Sequence, residues 1–355
     1  MADKIKKTSE EIKNDILAQL KYGPKTTAEL GDAIGSNWLT IEKFLNELKE
    51  QNKISELIST PKMRVYRRTD DPIYYSIPFN KEIRAKTLFI LSEIEREWKK
   101  ERKSDLSKTA LQKLAVDVIK HCNLNLPILS FHYGLTTCAS LDSNNQDILS
   151  LIEEPKDKVV ILKCIKEVIN DKNHTGIAYQ ERIYQYKKYD LPFYVAKEEL
   201  TKLFLFHEKD KEASKELNLK IKKALLDLSL NYPLRLEKFY SDFEKFVNNS
   251  QIILSNQKNE LQNLEIIKST LTHLWDKLTT FTSFKDAEFF IDKENKQLFE
   301  QIRELNLNSK EMGYQNHIDE LESVAQESNP FEIDMPQGNA SVDIQKLIFE
   351  SLENE

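Results

Sequence analysis

The apolar positions of this chain recur mostly at intervals of three and four residues, the spacing that lays one stripe along an α-helix. The first stripe is Ile12, Ile16, Leu17 and Leu20, with the capping box Thr8-Ser9-Glu10-Glu11 before it and Gly23-Pro24 after it. A second box, Thr26-Thr27-Ala28-Glu29, opens a short helix carrying Leu30, Ala33 and Ile34, and Gly35 closes it. Ser36 or Asn37 caps a third helix over 36–52, whose stripe reads Trp38, Ile41, Phe44, Leu45 and Leu48. The pattern then changes to β. Ile54 to Ser59 and Met63 to Arg68 read as strands around Thr60-Pro61-Lys62, and Ile73 to Ile77 as a further β-rich run after Asp70-Asp71-Pro72.

Beyond Pro78 the helical spacing returns, which predicts a mainly α chain. Helices are expected over Glu82–Arg102, Thr109–Cys122, Lys156–Asn170 and, with an interruption, Ala196–Leu230. The segment 126–141 is less regular and has room for a strand. From Leu236 through Phe243, Phe246, Leu264, Leu271 and Leu278 to Phe281 the near-heptad spacing predicts a coiled-coil or long bundle seam. Asn329 to Gly338 reads as a linker and Ser341 to Leu352 as a short terminal helix. The resulting division is 1–79, a helical middle over 80–195, long helices over 196–327, and a linker with terminal helix over 328–355.

Charge adds an asymmetry. Residues 1–113 carry a net +5 and the remainder a net −11, within −6 overall. A basic front suits phosphate, and an acidic rear does not. Only seven glycines are present, which disfavours Gly-rich phosphate loops. No apolar run reaches membrane-spanning length, and the start lacks the apolar run of a signal peptide, so a cytoplasmic location is expected. Cys122, Cys138 and Cys164 are few and odd in number, which argues against a disulfide framework. His121, Cys122, His132 and Cys138 invite a zinc reading, but their spacing fits no usual ligand pattern, and no metal or other cofactor is expected.

The order helix, short helix, turn, helix, hairpin is that of a winged helix-turn-helix. Such a domain lays its third helix in the DNA major groove and its wing along the adjacent backbone or minor groove. With the apolar stripe inward, Asn37, Thr40, Lys43 and Glu47 face out. Asn pairs with adenine, Thr meets a base or phosphate, and Lys meets guanine or phosphate. Ser36 sits where helix N–H groups favour an anion. The wing adds Lys62, Arg64, Arg67 and Arg68 around Tyr66. A solvated hairpin is the plain alternative, and Glu42, Glu47 and Glu50 weigh against strong phosphate binding by the helix itself. Residues 9–78 resemble the winged-helix domain of archaeal-type transcriptional regulators. The resemblance is carried by Thr27-Ala28-Glu29-Leu30, by the run from Ile34-Gly35-Ser36-Asn37-Trp38 to Leu45, and by Tyr74-Tyr75-Ser76-Ile77-Pro78. It covers about a fifth of the chain.

The expected function is a non-catalytic regulator that binds double-stranded DNA, with a homodimer built on the helical seam and a protein partner for the terminal helix. An architectural DNA-binding protein and a protein-interaction scaffold are the alternatives. The run Trp98 to Lys103 either extends the DNA footprint or is a solvated helix end. The aromatic stretch Tyr179–Tyr194 reads as core ahead of a ligand pocket, and Asp286, Glu288, Asp292 and Glu294 as helix surface. No phosphate-loop, zinc-protease or nucleophile-elbow motif is present.

Overall fold

The computed structural model describes residues 7–20, 24–59, 64–69, 76–141, 154–209, 214–255 and 260–328. Lys62, the linker 329–338 and the terminal helix 341–352 lie outside these residues. So does most of the expected strand over 73–77, of which Ser76 and Ile77 form a turn instead. The fold is mainly α. Among the described residues no helix is long and apolar enough to cross a membrane.

The front unit runs α1 (Ser9–Leu20), β1 (Lys25–Thr26), α2 (Thr27–Ile34), α3 (Trp38–Glu50), β2 (Ile54–Ser59) and β3 (Arg64–Arg68). Both capping boxes form. Thr8 Oγ1 accepts from Glu11 N–H at 3.3 Å while the Glu11 carboxylate accepts from Thr8 N–H at 2.7 Å, and Thr26 and Glu29 repeat the exchange. Gly35, at φ +72°, closes α2 through a left-handed cap that costs glycine little. The three strands form an antiparallel sheet in the order β1-β3-β2, so the two-residue β1 pairs with β3. The three helices cover one face through Ile16, Leu20, Leu30, Ile41, Leu45 and Leu48.

The middle packs α4 (Lys81–Arg102), α5 (Lys108–His121) and α6 (Lys158–Asn170) on one another, with a hairpin of β4 (Ile128–Phe131) and β5 (Gly134–Thr137) set against α5. The irregular segment 126–141 thus holds two strands, so this part is not wholly helical. Two buried cations tie it down. Arg84 donates to the Ile77 carbonyl at 2.6 Å, and Lys113 donates to the carbonyls of Tyr133 and Leu135. Burial pushes Lys113 down to about 7. Cys122, at the end of α5, and Cys164, in α6, are joined by a disulfide, contrary to the expectation of none. They are 42 positions apart, and only the packing of α5 on α6 brings their Cα atoms to 6.1 Å.

The rear comprises α7 (Ala178–Lys188), α8 (Pro192–Lys209), α9 (Ser214–Leu230), a 3₁₀ turn (Leu234–Phe239), α10 (Tyr240–Ser255), α11 (Glu260–Ala287) and α12 (Lys296–Ser328). The expected seam is not one long helix. It divides into the 3₁₀ turn, α10 and α11, which pack on one another and on α12. Phe243, Phe246, Ile253, Leu264, Leu271, Leu274 and Leu278 are buried within the chain. An apolar stripe specifies that something must cover it, not what covers it. Here α12 supplies much of the cover.

Candidate nucleic-acid interface

The first turn of α3 is fixed by Asn37, whose side chain accepts from Thr40 N–H at 2.9 Å. Its carboxamide oxygen is therefore committed to the cap, and the amide group remains to meet a partner. Ile41, Phe44, Leu45 and Leu48 are buried as the stripe requires, which leaves Thr40 half-buried and Lys43 exposed on the opposite side. Trp38 departs from the expected stripe: it is 53% exposed, and Leu39 beside it is 72% exposed. The buried face of α3 begins only at Ile41, so the first turn stands clear of α1 and α2. Ser36 is half-buried, and its backbone N–H is used on Gly31 O at 3.1 Å.

The hairpin cations do not act as one set, because side chains along a strand alternate between faces. Glu56 pairs with Tyr66 and Ser55 with Arg67 across the ladder. Arg64, Tyr66 and Arg68 therefore share the face turned to the helices, and Arg67 lies on the other. The contacts agree. Arg64 Nη1 is 3.2 Å from Glu42 of α3 and its Nε is 3.8 Å from Glu56, whereas Arg67 Nε donates to Ser55 Oγ at 3.3 Å. Glu56 also meets Lys49 at 2.7 Å, and that hydrogen bond holds its carboxyl below the usual range. Arg68 is half-buried and has a partner within the protein. Lys43 lies 3.9 Å from Glu47.

The surface thus joins α3 to Arg64 through Glu42, the residue before Lys43. Its cations are balanced by carboxylates. Water screens exposed pairs of this kind and leaves them contributing little, so a phosphate can replace Glu42 or Glu47 as partner at small cost. Phase alone identified the outward residues of α3. The Glu42–Arg64 link is tertiary and has no signal in spacing.

The four residues of the zinc reading are dispersed. His121 pairs with Glu167 at 2.7 Å, His132 with Asp276 at 2.6 Å, and Cys138 is buried 3.3 Å from Thr87 Oγ1. His121, Cys164 and Glu167 place ligand atoms within 4.8 Å of one another, but a sulfur already in a disulfide offers no thiolate. The acidic cluster also separates. Asp286 accepts from Ser130 N–H at 2.9 Å and burial pushes its carboxyl up, while Asp292 caps Asn295.

A second polar site had no sequence signal. His174, 2% exposed, sets Nδ1 2.8 Å from Glu181 and Nε2 3.2 Å from Asp117. Glu181 also accepts from the N–H groups of Thr175 and Gly176, and Asp117 from Lys188 and the Tyr189 hydroxyl. Burial disfavours the imidazolium, but the two carboxylates prevail and raise His174 to about 9. This network links α5, the 171–177 turn and α7.

Comparison of the chain with family models, with curated proteins and with solved structures found no match.

Proposed function

We propose that residues 9–78 are a winged helix-turn-helix that binds double-stranded DNA, and that the chain is a transcriptional regulator. In this reading α3 enters the major groove and the β2–β3 hairpin is the wing. The observation that carries it is the element order helix, strand, helix, helix, hairpin with β1 closing the sheet on β3. The outward first turn of α3 supports it, with Trp38, Thr40 and Lys43 available and Arg64 beside them. The acidic remainder of the chain then stays away from phosphate. Reading two half-sites calls for a homodimer.

The test is fluorescence anisotropy of labelled duplex DNA against the full chain over a salt series. Replacing Arg64, Arg67 and Arg68 with Ala weakens binding to all sequences and flattens the salt slope by about one unit per lost phosphate contact. The strand faces refine this expectation: Arg64→Ala carries more of the loss than Arg67→Ala. An unchanged slope in a protein that binds DNA removes the hairpin from the interface.

A second reading is favoured by one observation. Trp38 and Leu39 are exposed apolar neighbours at the start of α3, a surface suited to a protein partner. No salt-dependent binding of any duplex selects this scaffold reading. Equal binding of every duplex selects the architectural one.

A further inference from the structure

A cavity of about 340 Å³ opens where α7, α8 and α11 meet the turn of the β4–β5 hairpin. His132, Tyr133, Arg182, Lys197, Lys268 and Trp275 line it, with Phe204 and Leu271 adding apolar wall. Lys197 projects from α8, which also buries Ala196 and Leu200 in the rear core. Its ammonium lies 5.7 Å from the Tyr133 ring centre and 5.5 Å from that of Trp275. Among the described residues it makes no hydrogen bond and no ion pair. Arg182 sits 4.6 Å from the same Tyr133 ring and pairs through Nη2 with Glu198 at 2.9 Å, but its Nε is buried and, among the described residues, has no hydrogen-bond partner.

The neighbouring carboxylates are committed elsewhere. Asp276 holds His132 at 2.6 Å and Lys310 at 2.9 Å, and these partners keep it down at about 2 despite its burial. Glu198 is taken by Arg182, and Lys268 meets Glu265 at 3.6 Å. The cavity therefore has a surplus of positive charge and two donor groups that lack acceptors. A desolvated cation without a partner costs free energy that an apolar or neutral residue would not. Burial, aided by the Arg182 charge, holds Lys197 below the usual lysine range, although Glu198 and Asp276 oppose the shift. Two rings already stand under the cations, which leaves their charge facing a site with flat apolar walls.

We propose that this cavity binds a small organic anion, a carboxylate or phosphate monoester on a compact apolar body, with Lys197 and Arg182 as its anion-binding groups. Its volume lies at the small end of the range for ligand pockets, roughly 300–1,000 Å³, which fits one ring with one acidic group. The site lies within the rear helices and is independent of whether the front unit binds DNA.

The test is calorimetric titration of the full chain with phenyl phosphate, benzoate, inorganic phosphate and the neutral analogue benzyl alcohol. The expected result is saturable 1:1 binding of phenyl phosphate or benzoate with Kd near or below about 1 mM, and none of benzyl alcohol. Phenyl phosphate above benzoate assigns a phosphate ester, and the reverse assigns a carboxylate. Inorganic phosphate binding as tightly as both overturns the apolar half of the proposal. Lys197→Met is expected to weaken the anion by about tenfold or more while leaving the melting temperature unchanged or raised, since it removes an unpaired cation. Anion binding retained in Lys197→Met overturns the proposal, as does benzyl alcohol binding equally or no saturable binding of any probe. The comparison of charged and neutral probes uses the unaltered chain and stands even if the variant fails to fold.

Discussion

The buried imidazole of His174 makes the stability of the middle of this protein depend on pH in a direction opposite to acid denaturation. Its folded value of about 9 stands above the ordinary 6.5 of histidine. A raised value means that the folded state holds the proton more tightly than the unfolded chain does. The contribution is therefore fully present below about pH 6.5, declines between about 6.5 and 9, and is gone above about 9. At roughly 1.4 kcal/mol per unit, the span corresponds to about 3 kcal/mol. The groups facing the ring are Asp117 and Glu181, with Lys188, Tyr184 and Tyr189 around them. Burial works to lower Lys188, but its bond to Asp117 prevails and holds it above its ordinary range, and burial and the Asp117 contact together hold Tyr189 above its own, so neither titrates in this window. Urea unfolding, followed by tryptophan fluorescence from pH 6 to 10, measures the change. Lys113, which burial holds down at about 7, gives both proteins a common opposing rise over this interval. The His174 increment is therefore read as a difference: the wild-type chain is expected to lose most of it relative to His174→Gln, which starts lower. Parallel pH curves for the two proteins would refute the assignment of the proton to His174.

Trp38→Ala is expected to cost under about 0.5 kcal/mol in a urea melt, because the indole is largely in solvent, and to weaken duplex binding in anisotropy. Gly176→Ala is expected to lower stability by about 1–3 kcal/mol in calorimetry. Its φ is +76°, and an added Cβ would stand 2.7 Å from Trp98 Cζ2. Cys122→Ser opens a loop closed across 42 positions, a constraint worth up to about 4 kcal/mol, and is checked by comparing urea midpoints with those of the wild type. Reductant should shift the wild type toward the variant and leave the variant unchanged.

Local chemistry made much of the front readable. A Thr three residues before a Glu predicts a reciprocal cap, and both boxes form. A glycine after an apolar run predicts a left-handed stop, and Gly35 makes one. The α3 stripe gave the correct phase from Ile41 onward, so Thr40 and Lys43 face outward as their spacing requires. Trp38 fits the same phase, but burial depends on how far the partner surface extends, which phase does not encode. The β4–β5 hairpin has strands of only four residues, too short to show an alternation. Its signal was Gly134, at φ +84°, where any Cβ would stand 2.6 Å from the Tyr186 ring. The division of the 234–281 stripe was hidden because a broken helix keeps the apolar spacing of each piece. The cationic cavity was hidden because Tyr133, Lys197 and Trp275 are distant in sequence and no motif joins them.

The sheet of the front unit also determines how that unit is attached. Within β3, Tyr66 belongs to the core beneath α1–α3, and Val65, on the opposite face, belongs to the core of the middle region with Ile77, Phe79 and Leu88. Two-residue alternation would place Ile58 of β2 on the same face as Ile54, which packs under the front helices. An irregularity in pairing between Glu56 and Ile58 reverses that parity, so Ile58 lies opposite Val65 and joins the middle core instead. One bulge thus lets a short strand serve two cores. Burial of Ile58 and Val65 stabilises this junction by about 1.5–3 kcal/mol for each side chain. The hairpin that carries Arg64 is therefore one wall of the middle region as well as the edge of the candidate interface. A flexible linker would leave the front unit free to pivot against DNA, whereas a shared sheet makes its orientation a property of the whole chain. If two copies read two half-sites, the spacing of those sites must follow from the packing of Val65 and Ile58 into the middle core as much as from the surface on which the copies meet.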